Sequence, residues 1–128
     1  MITEKLYKTI DIGNGLKIEI FDGSKNIVGD RWLVTFIARM EIQISETYPL
    51  KDNQYTVNID DIIKTLGAKV VFEKKIERFF IDEKVKNDVF YELYELFSKN
   101  ILSYLSNPEF PKRFIMKRYN DYLRKKHM

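Results

Sequence analysis

Residues 28–45 read VGDRWLVTFIARMEIQIS and alternate with a strict period of two. Trp32, Val34, Phe36, Ala38, Met40, Ile42 and Ile44 share one face of an extended strand, and Leu33, Thr35, Ile37, Arg39, Glu41, Gln43 and Ser45 share the other. Successive side chains of a strand point to opposite sides, so the pattern predicts one face in a core and one largely wet. Full burial of the six large apolar residues in the first set is worth about 9–18 kcal/mol before entropy, an upper bound. Leu33 and Ile37 interrupt the polar second face. Either another segment of the chain covers them, or they belong to a surface that meets a second copy.

The flanking pattern extends this strand into a sheet. Leu6–Ile12 and Leu16–Phe21 alternate and are separated by Gly13-Asn14-Gly15, residues tolerant of positive φ, which predicts a hairpin. Asp22-Gly23-Ser24-Lys25-Asn26 is turn chemistry and predicts the return into the long strand. Residues 45–57 break the pattern with Pro49 and a polar tip; loops of this length often carry function, so Tyr48 and Tyr55 are candidate partner or ligand contacts. Asn58 is placed to cap a helix over Ile59–Leu66, with Asp60 and Asp61 at its positive end and Gly67 at its stop. Residues 68–81 predict a fourth strand, and two apolar phases that disagree predict a bulge or bend near Lys74–Arg78.

From Asp82 onward the period changes. Val85, Val89, Phe90, Leu93, Tyr94, Leu96, Phe97, Ile101, Tyr104 and Leu105 recur at helical spacing over about half the circumference at 100° per residue, an arc wide enough for two surfaces. Asn107-Pro108 stops that helix, and Pro111 suits the first turn of a last one running toward Lys126. The order β-β-β-α-β-α-α predicts an α+β fold, an antiparallel four-stranded sheet with the C-terminal helices packed on one face.

Length and composition limit the function classes. The chain has 128 residues, 45% hydrophobic and 32% charged, which predicts one folded domain over residues 1–128. No apolar run approaches the length of about 20 residues needed to cross a bilayer, so no membrane partner is expected. The first residues lack the apolar core of a secretory signal, and cysteine is absent; the expected location is cytoplasmic. His127 is the single histidine. One terminal histidine and no cysteine cannot assemble the usual zinc sites, and a Ser–His–Asp triad would depend on that chain end. Asp60 and Asp61, adjacent on a helix, do not face one another, and Asp88 and Glu92 fall on a predicted solvent arc, so neither pair is placed for acid–base work. The glycine-bearing loop Asp22–Arg31 lacks phosphate-loop spacing. No catalytic residue, metal or cofactor is therefore expected.

Charge supplies the remaining signal. Lys112, Arg113, Lys117, Arg118, Arg124, Lys125 and Lys126 face only Asp121, a segment of net +6; with +3 for the whole chain, residues 1–111 carry −3. On the last helix Ile115, Met116, Tyr119, Tyr122 and Leu123 share one arc, suited to docking, while Arg113, Lys117, Asn120 and Arg124 form the opposite stripe. The leading expectation is a small binding or interaction module without catalytic activity that self-associates as a homodimer. The alternative is nucleic-acid or anion contact through the stripe in residues 112–126.

Overall fold

The computed structural model describes residues 4–13, 15–47 and 59–126. Tyr48, Tyr55, Asn58 and His127 lie outside the described residues. The chain is an α+β fold: strands β1 (Lys5–Gly13), β2 (Leu16–Asp22), β3 (Lys25–Val28), β4 (Arg31–Gln43) and β5 (Lys69–Asp82), with helices α1 (Ile44–Thr47), α2 (Ile59–Leu66), α3 (Lys86–Asn100), α4 (Leu102–Leu105) and α5 (Phe110–Lys126). Contacts divide it into two compact units, residues 1–40 with 73–106 and residues 41–72 with 107–128; β4 and β5 contribute to both.

The expected four-stranded antiparallel sheet is present as five strand segments. β1 pairs with β2, and β2, β3 and β5 all pair with β4. Phe21 faces Ile37, Asp22 faces Phe36, Lys25 faces Leu33 and Asn26 faces Trp32. These partners descend one ladder in a single register, so β3 continues β2 along the same edge of β4. The break between them is Gly23-Ser24, where the Gly23 N–H donates to the Thr35 carbonyl at 3.0 Å and the Thr35 N–H donates to Ser24 Oγ at 3.1 Å. A serine hydroxyl thus stands in for the missing carbonyl, and the ladder survives. The chain does not reverse at Asp22–Asn26, as the turn residues suggested. It reverses at Gly29-Asp30, where Gly29 takes φ +57°. Lys25–Val28 can pair, and a glycine beyond it supplies the left-handed corner.

β4 differs from expectation on its second face. Val34, Phe36, Ala38, Met40, Ile42 and Ile44 are fully buried, as the alternation implies, and Trp32 is half-buried. Leu33, Thr35 and Ile37 are buried as well. The second face is therefore sealed over its first half and opens only toward Glu41 and Gln43. Gly23 approaches so closely that a Cβ there would meet Ile37 Cδ1 at 3.1 Å. Arg39 shares this face and is held on it by charge. Its Nη1 and Nη2 donate to the Glu4 carboxylate at 2.6 and 2.8 Å, its Nε donates to Glu73 at 3.2 Å, and it lies 5.1 Å from the Phe21 ring centre. The bonds from Arg39 hold the Glu4 carboxyl below the usual carboxylate range.

In the first unit, α3 packs on the core face of this strand: Phe36 lies 5.8 Å from Phe90 and 5.2 Å from Phe97, with Leu93 and Leu105 also buried. Tyr7 of β1 meets Phe90 edge-on at 4.9 Å. The helix starts later than Asp82. That residue ends β5 and caps a single 3-10 turn, its Oδ1 accepting from the Lys84 N–H at 2.9 Å. Not all of the wide arc is covered: Val85, Leu96 and Tyr104 are exposed.

β5 is one strand through Lys74–Arg78, near which a bulge or bend was expected. The pairing with β4 carries a surplus residue. The Ile44 N–H donates to the Ala68 carbonyl and the Glu83 N–H to the Asp30 carbonyl; between these rungs β5 holds one residue more than β4. Within this stretch Phe80 takes φ +57°, the left-handed conformation that bulges often use. A left-handed conformation costs a bulky residue about 1–2 kcal/mol, and Phe80 is 67% exposed, so its ring recovers little by burial.

The second unit joins the ends of β4 and β5 to α1, α2 and α5, with Ile42, Ile44, Ile62, Val70, Phe110 and Ile115 buried. Gly67, at φ +91°, closes α2 through its N–H to the Ile63 carbonyl at 2.8 Å, as its place in the sequence predicts.

Two substitutions probe these findings. Ile37→Ala destabilises the protein by about 2–5 kcal/mol in urea titration, the cost of a core cavity and not of a wet strand face. A loss under about 0.5 kcal/mol would refute sealing of the second face. Phe80→Gly stabilises by about 0.5–1 kcal/mol, because glycine carries no penalty at this φ; a net loss would show that the ring makes contacts that matter.

Candidate anion-binding surface on the last helix

A ridge of residues four apart seats α5. Phe110, Phe114, Arg118 and Tyr122 follow one another along one side of the helix. Phe72 of β5 packs edge-on against Phe110 at 5.6 Å and against Phe114 at 5.8 Å, and the two helical rings stack at 5.7 Å. Pro111 and Ile115 complete the buried side. Of the arc expected to dock the helix, Ile115 is buried and Met116, Tyr119 and Leu123 are half-buried; Phe110 and Phe114, outside that arc, add the ring contacts. Tyr122 was expected in that docking arc and is instead 44% exposed.

The stripe predicted from sequence is present. Arg113, Lys117, Asn120 and Arg124 are all exposed on α5. Arg113 and Lys117 have no carboxylate partner among the described residues. Arg124 Nη2 lies 3.2 Å from Asp121 Oδ1. This pairing partly neutralises the one acidic group of the helix. An exposed pair of this kind stabilises little and yields easily to another anion.

A second group of cations lies around the helix from the stripe, and sequence reading did not single it out. Leu66, Lys69, Val70, Val71, Arg118, Asp121, Tyr122 and Lys125 line a half-open cleft of about 420 Å³. Its floor is aliphatic, and its rim carries Lys69, Arg118 and Lys125. Arg118 is fixed in place: Nη2 donates to the Val71 carbonyl at 3.2 Å, and the guanidinium lies 5.3 Å from the Phe114 ring centre. Lys69 reaches Glu41 at 2.9 Å, both side chains half-exposed. The four-residue spacing of Phe110, Phe114, Arg118 and Tyr122 was the available signal. The sequence pattern places Tyr122 on the docking arc and Arg118 on neither face.

The surface can attract an anion by charge and orient it with the planar donors of Arg118 and Arg124. Asp88 and Glu92 are exposed, in keeping with their place on a solvent arc, and Asp60 and Asp61 are exposed as well. Among the described residues no group of three or more His, Cys, Asp or Glu side chains could hold a metal ion, and no helix is long and apolar enough to cross a membrane. No family model, curated protein or solved structure matches this chain.

Proposed function

We propose that this chain is a binding module whose working surface is the cationic side of α5, and that its ligand is a polyanion of the nucleic-acid type. One observation carries the reading. Among the described residues Arg113 and Lys117 stand exposed without carboxylate partners beside Arg124, on a helix of net +6 attached to a remainder of net −3. A cationic face on an otherwise acidic chain favours one orientation toward a phosphate backbone, because the rest of the surface is repelled by it. The stripe rises by one helical turn at each step, so it presents charge along a line, as a backbone does.

The homodimer remains a second reading with a narrower base. Leu33 and Ile37, which suggested a surface for a second copy, are buried within the chain. The exposed Leu96 and Tyr104 of the wide helical arc now support that reading.

Fluorescence anisotropy with labelled oligonucleotides tests the polyanion reading. If four cations neutralise phosphates, affinity falls about 100-fold between 50 and 200 mM salt. The triple variant Arg113→Glu, Lys117→Glu, Arg124→Glu abolishes binding while leaving the urea midpoint within the range of surface substitutions. Absence of binding by the parent chain at 50 mM salt and micromolar protein would remove this function.

A further inference from the structure

We infer that the cleft beside α5 seats one unstacked base of a single-stranded nucleic acid, with Tyr122 as the stacking platform and Arg118 and Lys125 on the adjoining phosphates. The inference rests on the polyanion reading and adds strand selectivity to it. A duplex hides its base faces in the stack, so a protein that reads only phosphates treats duplex and single strand alike. A protein that offers an aromatic platform next to cations favours the single strand.

The cleft has the parts that this chemistry requires. Tyr122 is 44% exposed, although it sits on the helix that Phe110, Phe114 and Ile115 dock, so its ring is available to a ligand. Leu66, Val70 and Val71 give the cleft an aliphatic floor that suits a flat, weakly polar ring. Arg118 and Lys125 stand on the rim, and Arg118 is held by the Val71 carbonyl and the Phe114 ring before any ligand arrives. Pre-positioning spares the ordering cost that a free arginine incurs on binding. Arg124 connects the cleft to the stripe, since it belongs to the stripe and contacts Asp121 of the lining. A strand seated by one base in the cleft can therefore continue its backbone past Arg124 toward Lys117 and Arg113.

The experiment compares the parent chain, Tyr122→Ala, Tyr122→Phe and Arg118→Met against four probes: oligo-dT, oligo-U, a mixed-sequence duplex of equal phosphate count, and heparin. The parent binds both single strands more tightly than the duplex. Tyr122→Ala weakens single-strand binding about 10-fold and leaves duplex and heparin binding unchanged, and Tyr122→Phe retains the preference. The oligo-dT and oligo-U arms show whether the sugar matters. Circular dichroism and the urea midpoint of each variant confirm its fold, and quenching of tyrosine fluorescence by oligo-dT, lost in Tyr122→Ala, reads the contact independently of affinity. Equal affinity for duplex and single strand, or equal loss on all probes in Tyr122→Ala, would overturn the base seat while leaving the polyanion reading intact. Failure of every probe to bind would overturn both.

Discussion

The structure depends on one strand being sealed on two sides. β4 places Val34, Phe36, Ala38 and Met40 toward the core that α3 covers, and its opposite side chains Leu33, Thr35 and Ile37 are buried too. A strand so enclosed cannot slip in register, because a shift by one residue would exchange Thr35 for Phe36 and Ala38 for Arg39. Its neighbours inherit that precision. The single ladder through β2 and β3, the glycine approach at Gly23 and the serine hydroxyl bonded to Thr35 are all fixed against β4.

Much of this was legible in the amino-acid order, and the illegible parts have physical reasons. Alternation found β4 and its core face, and glycines found the β1–β2 hairpin and the end of α2. Periodicity reports the polarity of a side chain, however, not what lies over it, so the polar threonine between Leu33 and Ile37 made a covered face look wet. Turn chemistry at Asp22–Asn26 was read as a reversal, because a serine hydroxyl that replaces a ladder acceptor leaves the same residues in the sequence as a turn does. The surplus residue of β5 is in keeping with its conflicting apolar phases. Phase conflict shows that a residue is surplus; the left-handed φ of Phe80, two residues past Arg78, is a backbone feature that no side-chain pattern reports.

The cationic surface was half legible. Residues at four- and three-residue spacing identified Arg113, Lys117, Asn120 and Arg124, and the structure leaves all four exposed. The cleft was hidden because its lining comes from α2, the start of β5 and α5, segments that sequence distance separates. A tyrosine on an apolar arc reads as core until the phenylalanines that dock the helix are seen to occupy that role. Charge and fold are thus divided on α5: Phe110, Phe114 and Ile115 hold it, and Arg113, Lys117 and Arg124 stand exposed.

Native-state hydrogen exchange tests the two-sided enclosure most directly. Amides of β4 between Val34 and Met40, Ile37 included, exchange only through global unfolding, with opening free energies equal to the value from urea titration. Fast exchange at Thr35–Ile37 under native conditions, comparable to the ends of α5, would contradict the enclosure and with it the architecture drawn from this strand.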